Sequence, residues 1–265
     1  VDGSLYSVTS LGVHTLLGII DGASRCIFAD DGDNLVIVAK SVYVYTKSTA
    51  ILQLNTNVNI VGTISVTFLK SQFIYTTPDF SWVSQPNNPF DVNALDGIGA
   101  ESNPDKLVRD YAFNQTLYRT GVRTTEPWYV SGVGSPPIDV IEGQQLSVGV
   151  KAIYSLANTD RALYWLGDDK AIYRISGGIN ERISDDGISN TIENMALIDD
   201  AFGYAFTLQG QDFYLITFPS EKRTFVINES LGKEGWFELR SDNSNAYSGT
   251  SLIQIYDKLI IASRG

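Results

Sequence analysis

Six short phrases of one pattern recur along this chain, and they restrict its fold more than any other feature. Each has two mostly polar residues, then Leu or Phe, then an apolar residue or Tyr, followed by a turn and a partner strand. They are DNLV at Asp33–Val36, SQFI at Ser71–Ile74, QTLY at Gln115–Tyr118, RALY at Arg161–Tyr164, QDFY at Gln211–Tyr214 and DKLI at Asp257–Ile260. The lead residues Leu35, Phe73, Leu117, Leu163, Phe213 and Leu259 are spaced by 38, 44, 46, 50 and 46 residues. Steps in the forties with several strands per step are the mark of a β-propeller, with one blade per repeat. The expectation is therefore an all-β fold of six blades.

The stretch Gln209–Asn228 shows what one repeat contains. Residues 213–218 alternate in period two, Pro219 and Ser220 break the run, and Arg223–Ile227 supplies a second strand rich in β-branched and aromatic residues. A hairpin so poor in polar surface must be covered by neighbours. The ends of the chain give an independent indication. In the fourth repeat Leu163 is followed by KAIYRISGG, whereas the sixth repeat starts at Leu259 and the sequence stops at Gly265. The amino-terminal GSLYSVTSLG resembles KAIYRISGG, so Leu5–Thr9 is expected to complete the last blade and close the ring, which also removes exposed sheet edges.

A propeller absorbs residues 1–265 as a single domain, here a possible fragment of a longer chain, since it opens on Val1 and ends inside a repeat. With 43% hydrophobic and 18% charged residues, nothing reads as disordered. No apolar run approaches the ~18 residues of a membrane helix, and no membrane partner is expected. The formal charge is −11 and the longest basic run is Lys222-Arg223, which argues against a groove that grips nucleic-acid phosphate. An acidic surface suits DNA that must slide past without sticking.

Two segments depart from the strand pattern. Ser84–Pro104, with three prolines, is expected to be irregular, either a long connection between blades or an arm that touches a neighbouring subunit. Asp185–Asp199 is expected to be a helix, because Ile188, Ile192 and Met195 make one stripe and Ser184, Asp185 and Asp186 offer capping oxygens. That helix would serve an intersubunit contact or pack over its own blade.

The residues of familiar chemistries are scarce. His14 is the only histidine and Cys26 the only cysteine, which leaves zinc sites and a Ser-His-Asp triad almost no material. No catalytic, metal-binding or cofactor-binding residue is assigned, and no cofactor is expected. The Asp30–Asn34 turn is better read as a hairpin than as a calcium loop. Paired carboxylates of a propeller glycosidase remain possible with thirty acidic residues, and Trp82, Trp128, Trp165 and Trp236 could stack on sugars in a carbohydrate-binding module. All four lie in or at the start of strands, where large aromatics fill space between blades.

From about Trp82 to Arg240 the chain resembles the packaged-DNA stabilization proteins of short-tailed bacteriophages, the tail hub or head-to-tail accessory family. The matching pieces come in order: Asn103–Asp105, Thr124-Thr125-Glu126-Pro127-Trp128, Tyr164-Trp165-Leu166-Gly167, Ile172-Tyr173-Arg174, Arg182-Ile183-Ser184, the run Gly210–Pro219, and Trp236-Phe237-Glu238. The resemblance implies a structural virion protein and not an enzyme, made in the bacterial host cytoplasm. It implies six copies in a ring below the portal and its adaptor, extending the channel through which DNA passes without sequence-specific binding. Its expected partners are the portal and adaptor proteins, the tail needle, and tailspike or fibre proteins.

Overall fold

A computed structural model describes residues 3–22, 25–99, 105–241, 247–255 and 258–263. The chain divides into two compact units, Val1–Gln145 and Leu146–Gly265.

The first unit opens with a hairpin of β1 (Ser4–Val8) and β2 (His14–Ile19). Three four-stranded antiparallel meanders follow. The first holds β3 (Ile27–Asp30), β4 (Asn34–Val38), β5 (Val42–Thr46) and β6 (Ile51–Leu54); the second β7 (Ser65–Leu69), β8 (Gln72–Thr76), β9 (Phe80–Gln85) and β10 (Asn88–Gly99). The third holds β11 (Leu107–Phe113), β12 (Thr116–Gly121), β13 (Thr125–Val130) and β14 (Ile138–Val140). The second unit continues with β15 (Ala157–Asn158), β16 (Ala162–Leu166), β17 (Ile172–Ser176) and β18 (Ile179–Arg182), then the helix α1 (Asp186–Glu193). Its next sheet is β19 (Phe202–Leu208), β20 (Gln211–Phe218), β21 (Arg223–Asn228) and β22 (Trp236–Glu238), and it closes on a hairpin of β23 (Gly249–Ile255) and β24 (Lys258–Ser263). Among the described residues there are thus five complete blade-like sheets and two hairpins.

Every lead residue of the six phrases falls in the second strand of its meander or, for Leu259, of its hairpin: β4, β8, β12, β16, β20 and β24. The last phrase starts at residue 257, outside the described residues. The reason for the repeat is burial. All five residues of β8 and of β16 are buried, because these strands are interior in their sheets and covered on both faces; β16 is apolar throughout, and β8 is apolar or aromatic from Phe73 to Tyr75. Full burial of one such side chain contributes about 1.5–3 kcal/mol. The polar pairs that precede several of them are turns. Lys70 and Ser71, and Asn114 and Gln115, are two-residue loops in which both residues have positive φ, the geometry that matches strand twist.

The cores lie between neighbouring sheets of each unit. Leu69, Ile74 and Val83 meet Leu117 and Ile138 across one such gap. Leu5 and Ile20 of the amino-terminal segment pack with Ile37. In the second unit Tyr164, Leu166 and Ile172 pack with Tyr214, Ile216 and Phe218.

Two expectations are corrected. Ser84–Pro104 is not irregular throughout: β9 runs to Gln85, and Asn88–Gly99 forms β10 (residues 100–104 lie outside the described residues). As an outer strand β10 tolerates Pro89, and its pairing with β9 shifts register twice. Where the ladder is interrupted, side chains replace it. Asn55 donates to Pro89 O, Asn57 to Phe90 O and Val92 O, and Asn59 to Val92 O. The helix is shorter than Asp185–Asp199, because Asn194 caps it and Glu221 accepts from the amides of Ala196 and Leu197 beyond it. Asp185 is the N-cap, accepting from Ile188 N at 2.7 Å. The Ile188, Ile192 and Met195 stripe packs into the core of its own unit, the second of the two roles considered for it.

Candidate functional site

The residues that carry the family resemblance are placed mainly to hold strands together. In the first unit Asp105 caps the turn between β12 and β13, accepting from the backbone amides of Val122, Arg123 and Thr124 and from the Thr124 hydroxyl. Residues 103 and 104 of that motif lie outside the described residues. Glu126 accepts from Trp128 Nε1 at 3.2 Å, and the Arg119 guanidinium lies 4.7 Å from the centre of a Trp128 ring. Cation–π contact of this kind adds to the anchoring of a partly desolvated cation.

That arginine belongs to a buried polar centre. Arg119 and Asp110 are both buried, with Nε 3.7 Å from the Asp110 carboxylate. Arg119 Nε donates to Ser81 Oγ, and its Nη2 donates to the Ile98 and Gly99 carbonyls. Thr76 donates to the Asp110 carboxylate, and Ser65 donates to Thr76. The centre ties the β7–β10 sheet to the β11–β14 sheet. Burial pushes the Asp110 carboxyl up, with Arg119 and the hydroxyls of Ser81 and Thr76 pulling against it.

The second unit has its counterpart around Arg174. Its guanidinium binds Glu229 and reaches Glu181 at 2.6 Å. Burial raises the Glu229 carboxyl, and Arg174 opposes the rise. The Tyr164 and Tyr214 rings stack 5.0 Å apart, and Tyr214 donates to Ser155 O. Trp165 stacks on Tyr173 and donates to Gly149 O. Desolvation and the Asp169 carboxylate push the Tyr173 phenol up to about 12. Trp236 donates to Ile183 O at 3.0 Å. Trp82 packs against Phe80, and a Cβ on Gly97 would come within 2.4 Å of its ring, so that position needs glycine. The four tryptophans are therefore engaged in packing.

His14 is exposed at the start of β2, edge-on to Tyr6 at 6.1 Å. Cys26 is half-buried, and desolvation raises its thiol. In the Asp31–Asn34 turn, Asp31 accepts from the amides of Asp33 and Asn34, and Asp33 accepts from Ser48. Those carboxylates are used by the hairpin itself. Among the described residues no three His, Cys, Asp or Glu side chains converge in a metal-binding group, and no helix is long and apolar enough to cross a membrane. Sequence reasoning missed the buried Arg119–Asp110 centre and the partly exposed Arg174 cluster. The available signal for the first was a charge inside an otherwise apolar strand, as in LVRDYAF and TLYRTG.

Repeated four-stranded antiparallel meanders define an all-β protein of propeller type. The chain belongs to the family described as Bacteriophage P22 Gp10, beta-propeller, whose model matches residues 1–265, a family of phage structural proteins and thus of virion components. No curated protein matches the chain. Among solved structures it is similar to the computationally designed Ika8 protein, with a TM-score of 0.55 and 12% identity over 99% of this chain and 78% of that one. It is also similar to the dihydro-heme d1 dehydrogenase NirN, with a TM-score of 0.53 and 11% identity over 82% and 46%. A third is an S. cerevisiae Dbp5 assembly bound to Nup159, Gle1, IP6 and ADP, with a TM-score of 0.50 and 13% identity over 81% and 60%. The chain spans 60% and 46% of the first two structures it matches, and at these identities the likeness concerns the fold alone.

Proposed function

We propose that this chain is a non-enzymatic component of the tail hub or nozzle ring of a short-tailed phage. Six copies form a ring that extends the DNA channel below the portal, helps retain packaged DNA and attaches tail parts. The observation that carries the reading is the family match over the whole length, and the motif residues support it by being spent on strand-to-strand anchoring. Its partners are the portal and adaptor proteins, the tail needle, and tailspike or fibre proteins. DNA passes without sequence-specific contact, in keeping with the charge of −11. Native mass spectrometry of the protein mixed with a portal–adaptor assembly tests this. Six copies bound per assembly are expected; no complex at micromolar concentrations would sink the proposal.

The same reading includes a single six-bladed propeller closed by the amino-terminal strand. Five sheets have four strands each, and the two hairpins together supply the four of a sixth. β24 bears the lead phrase, yet Ile260 and Ile261 are exposed, whereas its counterparts β8 and β16 are fully buried. β1 resembles β17, the third strand of its meander, which is the position next to β24 that closure requires.

A further inference from the structure

Apart from any role in a tail, we infer that the second unit holds an internal water-binding site, in which one molecule bridges Tyr164, Arg174 and Glu229 and so joins its two four-stranded sheets. Register brings the first two residues together: Tyr164 of β16 and Arg174 of β17 are directly opposed on one face of their sheet. Glu229, the residue after β21, comes from the other sheet, and its Oε2 accepts from Arg174 Nη1. Arg174 Nη2 donates to Glu181 at 2.6 Å. Three atoms of this cluster are left over. Tyr164 Oη, Arg174 Nε and Glu229 Oε1 are buried and make no hydrogen bond among the described residues. Tyr164 cannot swing its hydroxyl out to solvent, because the residue is fully buried and its ring is stacked on Tyr214 at 5.0 Å. Tyr214 is in turn tied to Ser155 O. Folded proteins rarely leave buried polar atoms unpaired, so three in one contiguous cluster point to a partner they share.

The chemistry of those atoms selects the ligand. Arg174 Nε–H donates and cannot accept, whereas a carboxylate oxygen of Glu229 accepts and cannot donate. Burial and then the Glu229 carboxylate push the Tyr164 phenol up, so its proton stays in place as a second donor. A cation at this point would face the Arg174 guanidinium, and an anion would face the Glu229 carboxylate. A neutral molecule with two lone pairs and an O–H answers all three: it accepts from Arg174 and Tyr164 and donates to Glu229. Three such bonds are what a buried water usually makes. All three atoms are shut off from solvent, so the molecule is the smallest of its class, water itself.

The test has a crystallographic arm and a solution arm, both on the whole chain. A crystal structure at a resolution that shows ordered waters is expected to place one within about 3.2 Å of Tyr164 Oη, Arg174 Nε and Glu229 Oε1. Magnetic relaxation dispersion of the water signal counts long-lived internal molecules, and Tyr164→Phe is expected to show one fewer than the wild type. That variant keeps the ring that stacks on Tyr214 and removes only the hydroxyl, and circular dichroism checks that it folds. A direct hydrogen bond from Tyr164 to Glu229 with no water between them, an ion in the water's place, or an equal count in the folded variant would overturn the inference. Should the variant fail to fold, the wild-type crystal structure decides alone. No outcome touches the tail reading, because that reading is judged by association with the portal.

Discussion

Single residues reveal how tightly the sheets are tied. Arg119 carries the charge paired with the buried Asp110, so removing it leaves a buried carboxylate without that counter-charge. Arg119→Leu is expected to destabilise the chain by about 3–5 kcal/mol in urea unfolding, as for other broken buried pairs. Replacing Asp110 by Leu in the same chain should recover much of that loss; an equal or larger loss in the double variant would refute the uncompensated-charge explanation. Glu238 titrates differently. Its hydrogen bond from Arg223 holds the carboxyl below the ordinary value of 4.5. A lowered folded value contributes stability that is present above 4.5 and lost as pH falls through the lowered value. Glu238→Gln should therefore lower the melting temperature at neutral pH, with the difference shrinking toward pH values below 4.5. A constant difference across that window would count against the ion-pair account.

At the scale of elements, β10 shows how a strand can be held without a continuous ladder. Asn57 donates to two of its carbonyls and also caps the short helical turn at Val58–Ile60. Asn57→Ala is expected to lower stability by about 1–2 kcal/mol, the scale of lost hydrogen bonds plus a cap. Amide exchange should rise at residues 90–93 before it rises in β8; unchanged exchange there would show that β10 is held by other contacts. The helix teaches a related lesson. Its apolar stripe was legible at period 3.6, but its end was not, since Met195 and Ile198 continue the burial after the helical bonds stop.

For the whole molecule, ring closure makes a cooperative prediction. If β1 covers β24, deleting residues 1–20 should speed amide exchange in β24 while leaving β16 protected. Exchange in β24 that ignores the deletion would remove the basis for closure. The expectation has a physical root: an exposed edge strand with apolar faces lacks both ladder partners and burial, and a closed ring supplies both.

The sequence by itself determined the repeat, because interior strands covered on both faces are rich in apolar residues, and the phrases around Phe73, Leu117 and Leu163 record that burial directly. It also marked the turns ahead of two of those strands, since the phrases open on Ser71 and Gln115, each the second residue of a two-residue loop with positive φ. Only the tertiary structure decided that Ser84–Pro104 holds a strand, because β10 is anchored by asparagines some thirty residues earlier. Only it brought Arg161 to Asp212, and Thr76 and Ser81 to the Asp110–Arg119 pair, which itself sits in cross-strand register in the β11–β12 hairpin. Local burial leaves its mark in composition; contacts between distant strands do not.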